Sequence, residues 1–344
     1  MGQWVLTDVE TLRWEEASPA SLPAGFVRIR PAYCGICGSD LHSYRGKHPL
    51  VHPPIVLGHE FSGTVVEVGS GVDPNWQGRA VVGMPSLACG TCYACRHGAP
   101  HICHRLRVIG NVSAPGALAD ELVLPVENVL ALPAAIDLKA GALVEPLAVA
   151  VHALRRVGLV GGQALVIGAG PIGLLTGLAG RALGMTSVAI TDLREARLLV
   201  AESLGLQPID AAVPEWQQAV RTLWEEGPDV IFDCVATTVT MGAALSLARK
   251  GSTVVLIGVP EEPLQLDAIQ IQDHELDVIG SAMYRRDDFL TAIRLVANRG
   301  VEVHSLITSV VPLAQADDAF RRLADDPGDA VKVLIDVAGT SSTP

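Results

Sequence analysis

The sequence predicts an α/β protein with two domains, one irregular and β-rich and one built on a parallel sheet. A chain of 344 residues is too long for a single simple core. Hydrophobic residues make up 49% of the chain and charged residues 18%, which is the composition of a compact folded protein. Near residue 140, short alternating segments give way to apolar strands separated by amphipathic helices, and this change indicates the second domain.

The first part of the chain has the alternation typical of half-buried strands. Apolar and polar residues alternate over 24–32 and over 61–69, and a further extended segment covers 120–133. Turn residues are frequent between these segments. We therefore expect an irregular, mainly β-stranded first domain.

The second part alternates helices and strands. Residues 141–158 have helical spacing, and apolar strands follow at 187–192, 229–234 and 252–259. Strands that are apolar throughout are typical of a parallel sheet whose two faces are covered by crossover helices. After about residue 285, a helix and the final strand, at 331–336, would return to the first domain.

The charge balance excludes one class of partner. The 25 basic and 37 acidic side chains give a net charge of −12, which is the opposite of a nucleic-acid-binding footprint. Charged residues interrupt each long apolar region before about 18 residues accumulate, so no membrane span is expected. The first residues do not resemble a signal peptide. We expect a cytoplasmic protein whose seven cysteines serve metal binding rather than disulfides.

One short loop contains a dense cluster of cysteines. Cys89, Cys92, Cys95 and Cys103 follow the spacing C-x2-C-x2-C-x7-C. Closed structural zinc sites take four ligands in a tetrahedron, and thiolates are preferred ligands. An iron–sulfur cluster also takes four thiolates, but its usual spacings differ. The spacing predicts a structural zinc lobe over about 88–104.

A glycine-rich turn lies between an apolar strand and a helix. Gly168, Gly170 and Gly173 form the pattern G-x-G-x-x-G, which lets a dinucleotide pyrophosphate approach the backbone. About 20 residues later the next strand ends at Asp192, which could bind the adenosine ribose hydroxyls, cap the following helix, or do both. The pattern predicts NAD as the cofactor. Arg194 and Arg197 follow Asp192 closely enough in sequence to weaken a strict preference for NAD over NADP.

Reactive side chains are concentrated just after the first predicted strand. Cys34 and Cys37 alone fit a redox pair, half of a zinc site, or no site at all. Further along the chain come His59, Glu60 and Glu145. A thiolate, an imidazole and a carboxylate make three protein ligands and leave a fourth position for water or substrate, which is typical of a catalytic zinc site.

Taken together, these motifs resemble the zinc-dependent medium-chain alcohol dehydrogenases, in the branch of the polyol (sorbitol) and threonine dehydrogenases. The resemblance covers essentially the whole chain and rests on CGICGSDLH, LGHE, the four-cysteine lobe, VEPLAVAVHA and GAGPIG. It implies a GroES-like, β-rich catalytic domain and a Rossmann domain with a doubly wound parallel sheet. We expect the catalytic domain at 1–148, the NAD-binding Rossmann domain at 149–284, and a return segment at 285–344 that completes the catalytic domain.

The resemblance also implies the ligands of the catalytic zinc. It makes Cys37 and His59 ligands and Cys34 a bystander. Glu60 would be the third ligand, directly or through the bound water. Glu145 would bind the zinc directly or act from just outside its ligand shell.

Three further residues of the first motif receive roles from the resemblance. Asp40 would fix the tautomer of the ligand histidine. Ser39 would accept the proton of the alcohol and pass it through the nicotinamide ribose hydroxyl to His42.

The resemblance further implies contacts with the cofactor and the substrate. Cofactor contacts beyond the glycines and Asp192 are expected from Pro171, Ile172, Arg197, Val235, Ile257, Val259 and Ala282. Tyr44 and Tyr284 are expected to line the substrate pocket. Ser43 and Met283 stand where enzymes of the sorbitol type usually have a tyrosine and an arginine, so a smaller diol, a sugar-derived alcohol, a sugar acid and an amino alcohol stay open.

The leading hypothesis is a zinc-dependent oxidoreductase with two zinc ions per chain. It would transfer a hydride between NAD(H) and a secondary alcohol of polyol or sugar-derived type, giving the ketone. An amino-alcohol (threonine-type) or simple secondary-alcohol dehydrogenase is the alternative on the same machinery, and a non-catalytic NAD-binding protein is the alternative from another class. By analogy, a homotetramer or homodimer would form through an edge of the second sheet, near 251–266.

Overall fold

The structure is a computed structural model that describes residues 1–158 and 161–339. Contacts within the chain divide it into two compact units. Unit 1 comprises residues 1–145 and the described residues from 303 onward, and unit 2 comprises the described residues of 146–302. Residues 340–344, the end of the predicted return segment, lie outside the described residues.

Unit 1 begins with short strands joined by turns. Its first strands are β1 (Gly2–Asp8), β2 (Thr11–Glu16), β3 (Phe26–Gly35), β4 (Ile55–Val56), β5 (Glu60–Val68), β6 (Ala80–Gly83), β7 (Ser86–Leu87), β8 (Arg107–Ile109), β9 (Ser113–Ala114), β10 (Leu122–Pro125) and β11 (Val129–Ala131). The helices among them are α1 (Gly38–Tyr44), α2 (Tyr93–Arg96) and α3 (Leu138–Gly141), with 3₁₀ turns at Pro74–Trp76, Pro100–Ile102 and Val126–Asn128.

The predicted strands of this part are present, with one difference. The segments predicted at 24–32 and 61–69 correspond to β3 and β5. The extended segment predicted at 120–133 is two strands, β10 and β11, separated by a 3₁₀ turn. The side-chain amide of Asn128 holds this turn, because it donates hydrogen bonds of 2.9 Å to the carbonyl oxygens of Met84 and Ser86.

Unit 2 alternates strands and helices. Helix α4 (Val144–Val157) leads into it, and the elements that follow are β12 (Gln163–Ile167), α5 (Pro171–Ala182), β13 (Ser187–Asp192), α6 (Glu195–Ser203), β14 (Gln207–Asp210), α7 (Trp216–Leu223), β15 (Val230–Asp233), α8 (Thr238–Leu247), β16 (Thr253–Leu256), α9 (Ala268–Asp273), β17 (Asp277–Gly280) and α10 (Arg286–Ala297).

The strands of unit 2 form the predicted parallel sheet. They pair in the order β14-β13-β12-β15-β16-β17, and each of these pairings is parallel. All four residues of β15 are buried, as expected for a strand covered on both faces. The strand order reverses beside β12, and ligands of open parallel sheets bind beyond the carboxyl ends of the strands at such a point.

The chain then returns to unit 1. The returning elements are β18 (Ile307–Pro312), α11 (Ala316–Asp325) and β19 (Lys332–Asp336), with 3₁₀ turns at His304–Leu306 and Leu313–Gln315. The main sheet of unit 1 has the order β11-β6-β5-β3-β19-β18, and β10 also pairs with β3. Smaller sheets have the orders β2-β1-β4 and β7-β8-β9. Within the described ranges, no helix combines the length and apolar character needed to cross a bilayer.

Three strand ends meet in the main sheet of unit 1. Gly35, the last residue of β3, is paired with Glu60, the first residue of β5. On its other side Gly35 is paired with Leu334 of β19. The junction therefore brings together chain segments that begin near residues 35, 60 and 332.

Helix α10 belongs to unit 2, although the predicted return segment starts at residue 285. The reason is a buried carboxylate at the start of the helix. Asp288 is 0% exposed, and its oxygens lie 2.8 Å from His152 Nδ1 and 2.8 Å from an Arg155 guanidinium nitrogen. The backbone N–H of Arg285 also donates to it, at 2.7 Å. These bonds join α10 to α4.

The Asp288 network predicts a pH-dependent contribution to stability. Burial alone would raise the pKa of Asp288, but hydrogen bonds from His152 and the Arg285 amide, with the charge of Arg155, lower that pKa below its ordinary value. A carboxylate with a lowered folded-state pKa stabilises the fold above its unfolded value of about 3.9 and loses this contribution as the pH falls through the folded value.

We therefore expect Asp288→Ala to lower the free energy of unfolding at pH 7 by about 3–5 kcal/mol, because it removes the buried carboxylate that pairs with His152 and Arg155. Asp287→Ala, in the same helical turn but exposed, is the matched control and should cost less than about 1 kcal/mol. Urea unfolding curves measure both. The difference between Asp288→Ala and the unmodified chain should shrink below about pH 4; a difference independent of pH would contradict the ionic role.

Candidate functional site

The strand junction of unit 1 positions the predicted zinc ligands. Cys37 follows β3 and caps the N-terminus of α1, while His59 and Glu60 stand at the start of β5. Gly58 precedes them with φ +99°, and a Cβ at this position would lie 2.6 Å from Cys34 Sγ. Glycine is therefore needed for the turn that delivers His59.

Three of the predicted ligands come together. One ligand atom from each of Cys37, His59 and Glu60 lies within 4.8 Å of the others, and we call these residues the ligand group. His59 is 6% exposed and Glu60 is 0% exposed. Sulfur, imidazole nitrogen and carboxylate oxygen are ligands that zinc accepts, and three protein ligands leave a position for substrate.

Asp40 contacts two members of the ligand group, Cys37 and His59. It is 0% exposed, and its Oδ2 accepts a 2.9 Å hydrogen bond from the Cys37 amide. Its Oδ1 lies 3.2 Å from His59 Nδ1, so the other ring nitrogen is turned toward the ligand group. This is the arrangement by which a carboxylate orients a ligand histidine.

The electrostatics of the ligand group favour a cation. Burial alone would lower the pKa of His59, but the charges of Asp40 and Cys37 and their hydrogen bonds raise that pKa well above its ordinary value. The negative potential that raises the pKa of the imidazole also favours a metal cation bound beside it. The donor chemistry and the field of this site therefore both fit zinc.

Ser39 and His42 lie beside the ligand group, on α1. Ser39 Oγ is 3.5 Å from His59 Nε2. His42 is half-buried in the last turn of the same helix. Both residues lie on α1, and the proton relay stays a prediction.

Glu145 does not join the ligand group. It is 7% exposed and lies in the first turn of α4, but it is absent from the set of ligand atoms that lie within 4.8 Å of one another in the described residues. Direct binding of zinc by Glu145 stays a prediction.

One residue of the site has no counterpart in the sequence-based predictions. Lys332, the first residue of β19, places Nζ 2.8 Å from Oε1 and 2.6 Å from Oε2 of Glu60. Burial alone would lower the pKa of Lys332, but the charges of Glu60 and Cys37 raise it, so the side chain is an ammonium ion. The feature of the sequence that could have indicated Lys332 is its position as a charged residue at the start of the apolar strand VKVLID.

Cys34 lies in the apolar core of unit 1. It is 0% exposed and belongs to the main hydrophobic cluster. Burial raises the pKa of its thiol well above the ordinary value, which keeps the thiol protonated and unreactive. This environment argues against a redox pair with Cys37.

The four-cysteine lobe forms a second metal-binding set. The sulfur of Cys92 lies 3.5 Å from that of Cys95 and 3.8 Å from that of Cys103, and the sulfurs of Cys89 and Cys95 are 4.0 Å apart. Four sulfurs in a tetrahedron around zinc, each at about 2.3 Å, would be about 3.8 Å apart. The observed spacing therefore fits a zinc ion.

The thiols of the lobe cannot all ionise without a cation. Hydrogen bonds from Thr91 and the Cys92 amide lower the pKa of Cys89 to about 5. Burial and hydrogen bonds with the neighbouring cysteines raise the pKa of Cys95 to about 12. Arg105 supplies part of the compensating positive charge next to Cys89. A divalent cation would allow the whole set to be thiolate.

Each glycine of the glycine-rich turn of unit 2 meets a different structural requirement. Gly168 has φ +97°, which favours glycine. A Cβ at Gly173 would lie 1.7 Å from the Gly168 carbonyl oxygen, so α5 and β12 could not approach each other. At Gly170, which precedes Pro171 and Ile172 at the start of α5, a Cβ would contact only Arg197 among the described residues, at 3.9 Å. The free space there is where a pyrophosphate would approach.

Asp192 already holds the glycine turn and the next helix. Its Oδ2 accepts a 2.8 Å hydrogen bond from the Ala169 amide, and its Oδ1 accepts one of 2.9 Å from the Arg194 amide. An Arg197 guanidinium nitrogen lies 3.7 Å away. Each carboxylate oxygen can accept a further hydrogen bond, so capping and ribose binding are compatible.

The other predicted cofactor contacts follow successive strands of the same sheet. Val235, Ile257 and Ala282 come one or two residues after the ends of β15, β16 and β17. Val235 is 43% exposed, Val259 is 62% exposed, and Ile257 is 8% exposed. Because the strands are parallel and in register, these residues share the edge that carries the glycine turn.

The two predicted substrate residues lie in cores. Tyr44 is 2% exposed and its ring centroid is 5.8 Å from that of Phe320. Tyr284 is 1% exposed and meets Phe289 edge-on at 4.8 Å. These surroundings favour packing roles over contact with a substrate.

Comparison with known proteins identifies both units. A family model described as the alcohol dehydrogenase GroES-like domain matches residues 23–134, and one described as zinc-binding dehydrogenase matches residues 171–298. L-idonate 5-dehydrogenase of Vitis vinifera is 33% identical over 98% of this chain and 94% of its own length.

Solved structures of similar proteins have the same fold. The crystal structure of galactitol-1-phosphate dehydrogenase from Escherichia coli has a TM-score of 0.90 and 31% identity, covering 98% of this chain and 100% of that one. A structure described as a short chain alcohol dehydrogenase from E. coli CFT073, complexed with NADH, has a TM-score of 0.91 and 28% identity, covering 98% of this chain and 99% of that one. The predicted fold class, a GroES-like domain plus a Rossmann domain, is confirmed.

The four-cysteine lobe predicts a specific change in metal content. We expect the unmodified chain to contain two zinc ions and Cys103→Ala to contain one, because three thiolates no longer close the tetrahedron. Cys234→Ala, which removes a half-buried cysteine outside both metal-binding sets, is the control and should keep two. Elemental analysis of the purified proteins measures this. Two zinc ions retained by Cys103→Ala would contradict a four-thiolate site.

Proposed function

Because the chain belongs to the zinc-dependent medium-chain alcohol dehydrogenase family, we propose that it oxidises a secondary alcohol of polyol or sugar-derived type to the ketone, with NAD⁺ as the hydride acceptor. The observation that carries the proposal is the ligand group, in which Cys37, His59 and Glu60 converge on one point and are oriented by Asp40. Such a set suits an open catalytic site rather than a closed structural one.

The ligand group accounts for activation of the alcohol. Zinc bound there would supply Lewis acidity, which can lower the pKa of a bound water from 15.7 to about 7 and acts similarly on an alcohol. The residues of the chain do the rest: Cys37 and His59 fix the cation, and Asp40 keeps the imidazole in the tautomer that offers Nε2. Glu145, whose charge acts on Lys332, would act from outside the ligand group.

A proton must leave the alcohol when the hydride departs. The Ser39 hydroxyl, which lies 3.5 Å from His59 Nε2, would accept that proton. His42 lies one turn further along α1 and is half-buried, so it can pass the proton toward solvent. The nicotinamide ribose hydroxyl would link the two side chains. With NAD⁺ bound, the nicotinamide would accept the hydride, and Ser39 would accept the alcohol proton while passing its own hydroxyl proton on toward His42.

The glycine turn supports the choice of cofactor. Space at Gly170 and the N-terminus of α5 would receive the pyrophosphate, with Pro171 and Ile172 beside it. The Asp192 carboxylate would bind the adenosine ribose and disfavour a 2′-phosphate. Arg197, which lies 3.7 Å from that carboxylate, offsets part of its charge.

The relatives support a polyhydroxylated substrate. The Vitis relative is named for L-idonate, a sugar acid, and the E. coli structure is named for galactitol 1-phosphate, a sugar-alcohol phosphate. Both molecules carry several hydroxyl groups on a short carbon chain. We therefore place sugar-derived alcohols before amino alcohols and simple secondary alcohols.

We also propose that the chain forms a homo-oligomer in the cytoplasm through an edge of the unit 2 sheet. The predicted edge near 251–266 is wrong, because that segment contains β16, which pairs with β15 and with β17. In the part of the chain that the structure describes, β17 pairs on one side only, with β16. Exposed apolar side chains occur in the same unit, with Ile269 and Val239 each 80% exposed. A second copy that pairs along β17 would cover an open strand edge, which otherwise invites aggregation.

A substrate screen tests the proposed function. We expect NAD⁺ reduction with polyols or sugar acids to exceed that with amino alcohols and simple alcohols. Cys37→Ala should lower kcat at least about 1,000-fold, because Lewis-acid stabilisation amounts to several kcal/mol. The control Cys34→Ala, at a buried cysteine outside the ligand group, should stay within about threefold of the unmodified chain.

The screen separates the alternatives. Activity confined to threonine-like or simple alcohols would replace the polyol assignment while keeping the chemistry. Normal NADH binding without oxidation of any alcohol, together with no effect of Cys37→Ala, would identify a non-catalytic NAD-binding protein.

The contacts of Asp192 predict the selectivity between cofactors. Asp192→Asn should lower the ratio of kcat/KM for NAD⁺ to that for NADP⁺ by about 10- to 100-fold, because a charge-assisted hydrogen bond is worth about 1.5–3 kcal/mol. Asp210→Asn is the matched control, since Asp210 is paired with Asp192 on the adjacent strand and likewise caps a turn. Equal ratios for both variants would contradict a role of Asp192 in ribose binding.

A further inference from the structure

A buried ammonium ion occupies one side of the ligand group. Lys332 is 2% exposed, and its Nζ lies within hydrogen-bond distance of three acceptors: both carboxylate oxygens of Glu60, at 2.8 and 2.6 Å, and the Ile36 carbonyl oxygen, at 3.2 Å. An ammonium has three N–H donors, so its hydrogen-bonding capacity is filled. The side chain is thus fixed on Glu60.

The carboxylate of Glu60 is confined in this orientation. A Cβ at Gly35 would lie 2.2 Å from Glu60 Oε2, which means that the carboxylate rests directly against the backbone of β3. Both of its oxygens face the same ammonium. Glu60 nevertheless belongs to the ligand group, with an oxygen within 4.8 Å of the Cys37 and His59 ligand atoms.

Two cations therefore compete for one carboxylate. A zinc ion held by Cys37 and His59 would attract Glu60, and Lys332 attracts it from the other side. At 2.6–2.8 Å the ammonium forms charge-assisted hydrogen bonds, and burial strengthens them because water does not screen the pair. Without this ammonium, the carboxylate would lose both charge-assisted hydrogen bonds that hold it away from a metal on Cys37 and His59.

We propose that Lys332 is a positioning residue that holds Glu60 back from the metal, so that Glu60 is a labile third ligand while Cys37 and His59 bind firmly. The inference rests on the proposed function, since it assumes that the ligand group holds a catalytic zinc. It concerns residues 332 and 60, which no local motif connects. The role of Lys332 is to set how firmly Glu60 binds, and Lys332 does not touch the alcohol.

The rate at which zinc leaves the protein tests the proposal without any turnover. Release to an excess of a chromogenic chelator is followed in the purified enzyme, and the phase that is absent from Cys37→Ser is assigned to the ligand group. Lys332→Gln should slow this phase at least about tenfold, because the freed carboxylate becomes a firm ligand; changes around metal ligands typically alter affinity by about 10- to 100-fold. Lys139→Gln, which removes a cation of the same unit that lies over the Tyr33 ring, is the control and should not change it.

A double variant isolates the role of Glu60. In Lys332→Gln/Glu60→Gln the slow release should disappear, because the amide is a weak zinc ligand. A slow phase that persists in the double variant would mean that Lys332 acts only through its general field, and it would overturn the proposal. Unchanged or faster release in Lys332→Gln would overturn it as well.

Two further measurements keep the proposal open to refutation if Lys332→Gln fails to fold. Lys332→Arg keeps the positive charge and should release zinc within about threefold of the unmodified enzyme; a tenfold slower release would overturn the proposal.

Cobalt substituted into the ligand group should give the same visible spectrum in the unmodified enzyme and in Glu60→Gln, and a clear difference would show Glu60 to be a permanent ligand. A release profile with no phase dependent on Cys37 would instead refute the proposed function.

Discussion

Buried charge must be balanced within a few ångströms, and this requirement determines which side chains lie around the ligand group. Asp40 and Glu60 are both 0% exposed, and each lies against a nitrogen that can carry positive charge: His59 at 3.2 Å and Lys332 at 2.6 Å. Carboxylates removed from water are unfavourable unless such partners are present. The sheet junction that unites β3, β5 and β19 brings these partners together beside Cys37.

The sequence predicts best what depends on periodicity or short spacing. The parallel sheet of unit 2 follows from apolar strands at regular intervals, and the glycine turn from the strict demands at Gly168 and Gly173. The four-cysteine lobe is equally local, because its ligands lie within 15 positions, from Cys89 to Cys103. In each case a single stretch of chain contains every group that the structural feature requires.

Contacts between distant parts of the chain escape such reasoning. Lys332 and Glu60 are 272 residues apart, and a lysine at the start of a strand would ordinarily be solvated. The bond between His152 and Asp288 spans 136 residues and keeps α10 in unit 2, beyond the predicted boundary. Tyr44 is a different case: its position in the motif indicated the neighbourhood of the substrate, but an adjacent phenylalanine of α11 covers its ring. Spacing along the chain carries no information about any of these three contacts.

The position of β19 has a consequence for the order in which the protein matures during its synthesis. The cysteine lobe can close as soon as residue 103 has left the ribosome, because short loops close at little entropic cost. The counter-ion of Glu60 arrives only with residue 332, 229 residues after Cys103. A nascent chain could therefore take up its structural ion early, while its catalytic site stays incomplete until β19 is inserted.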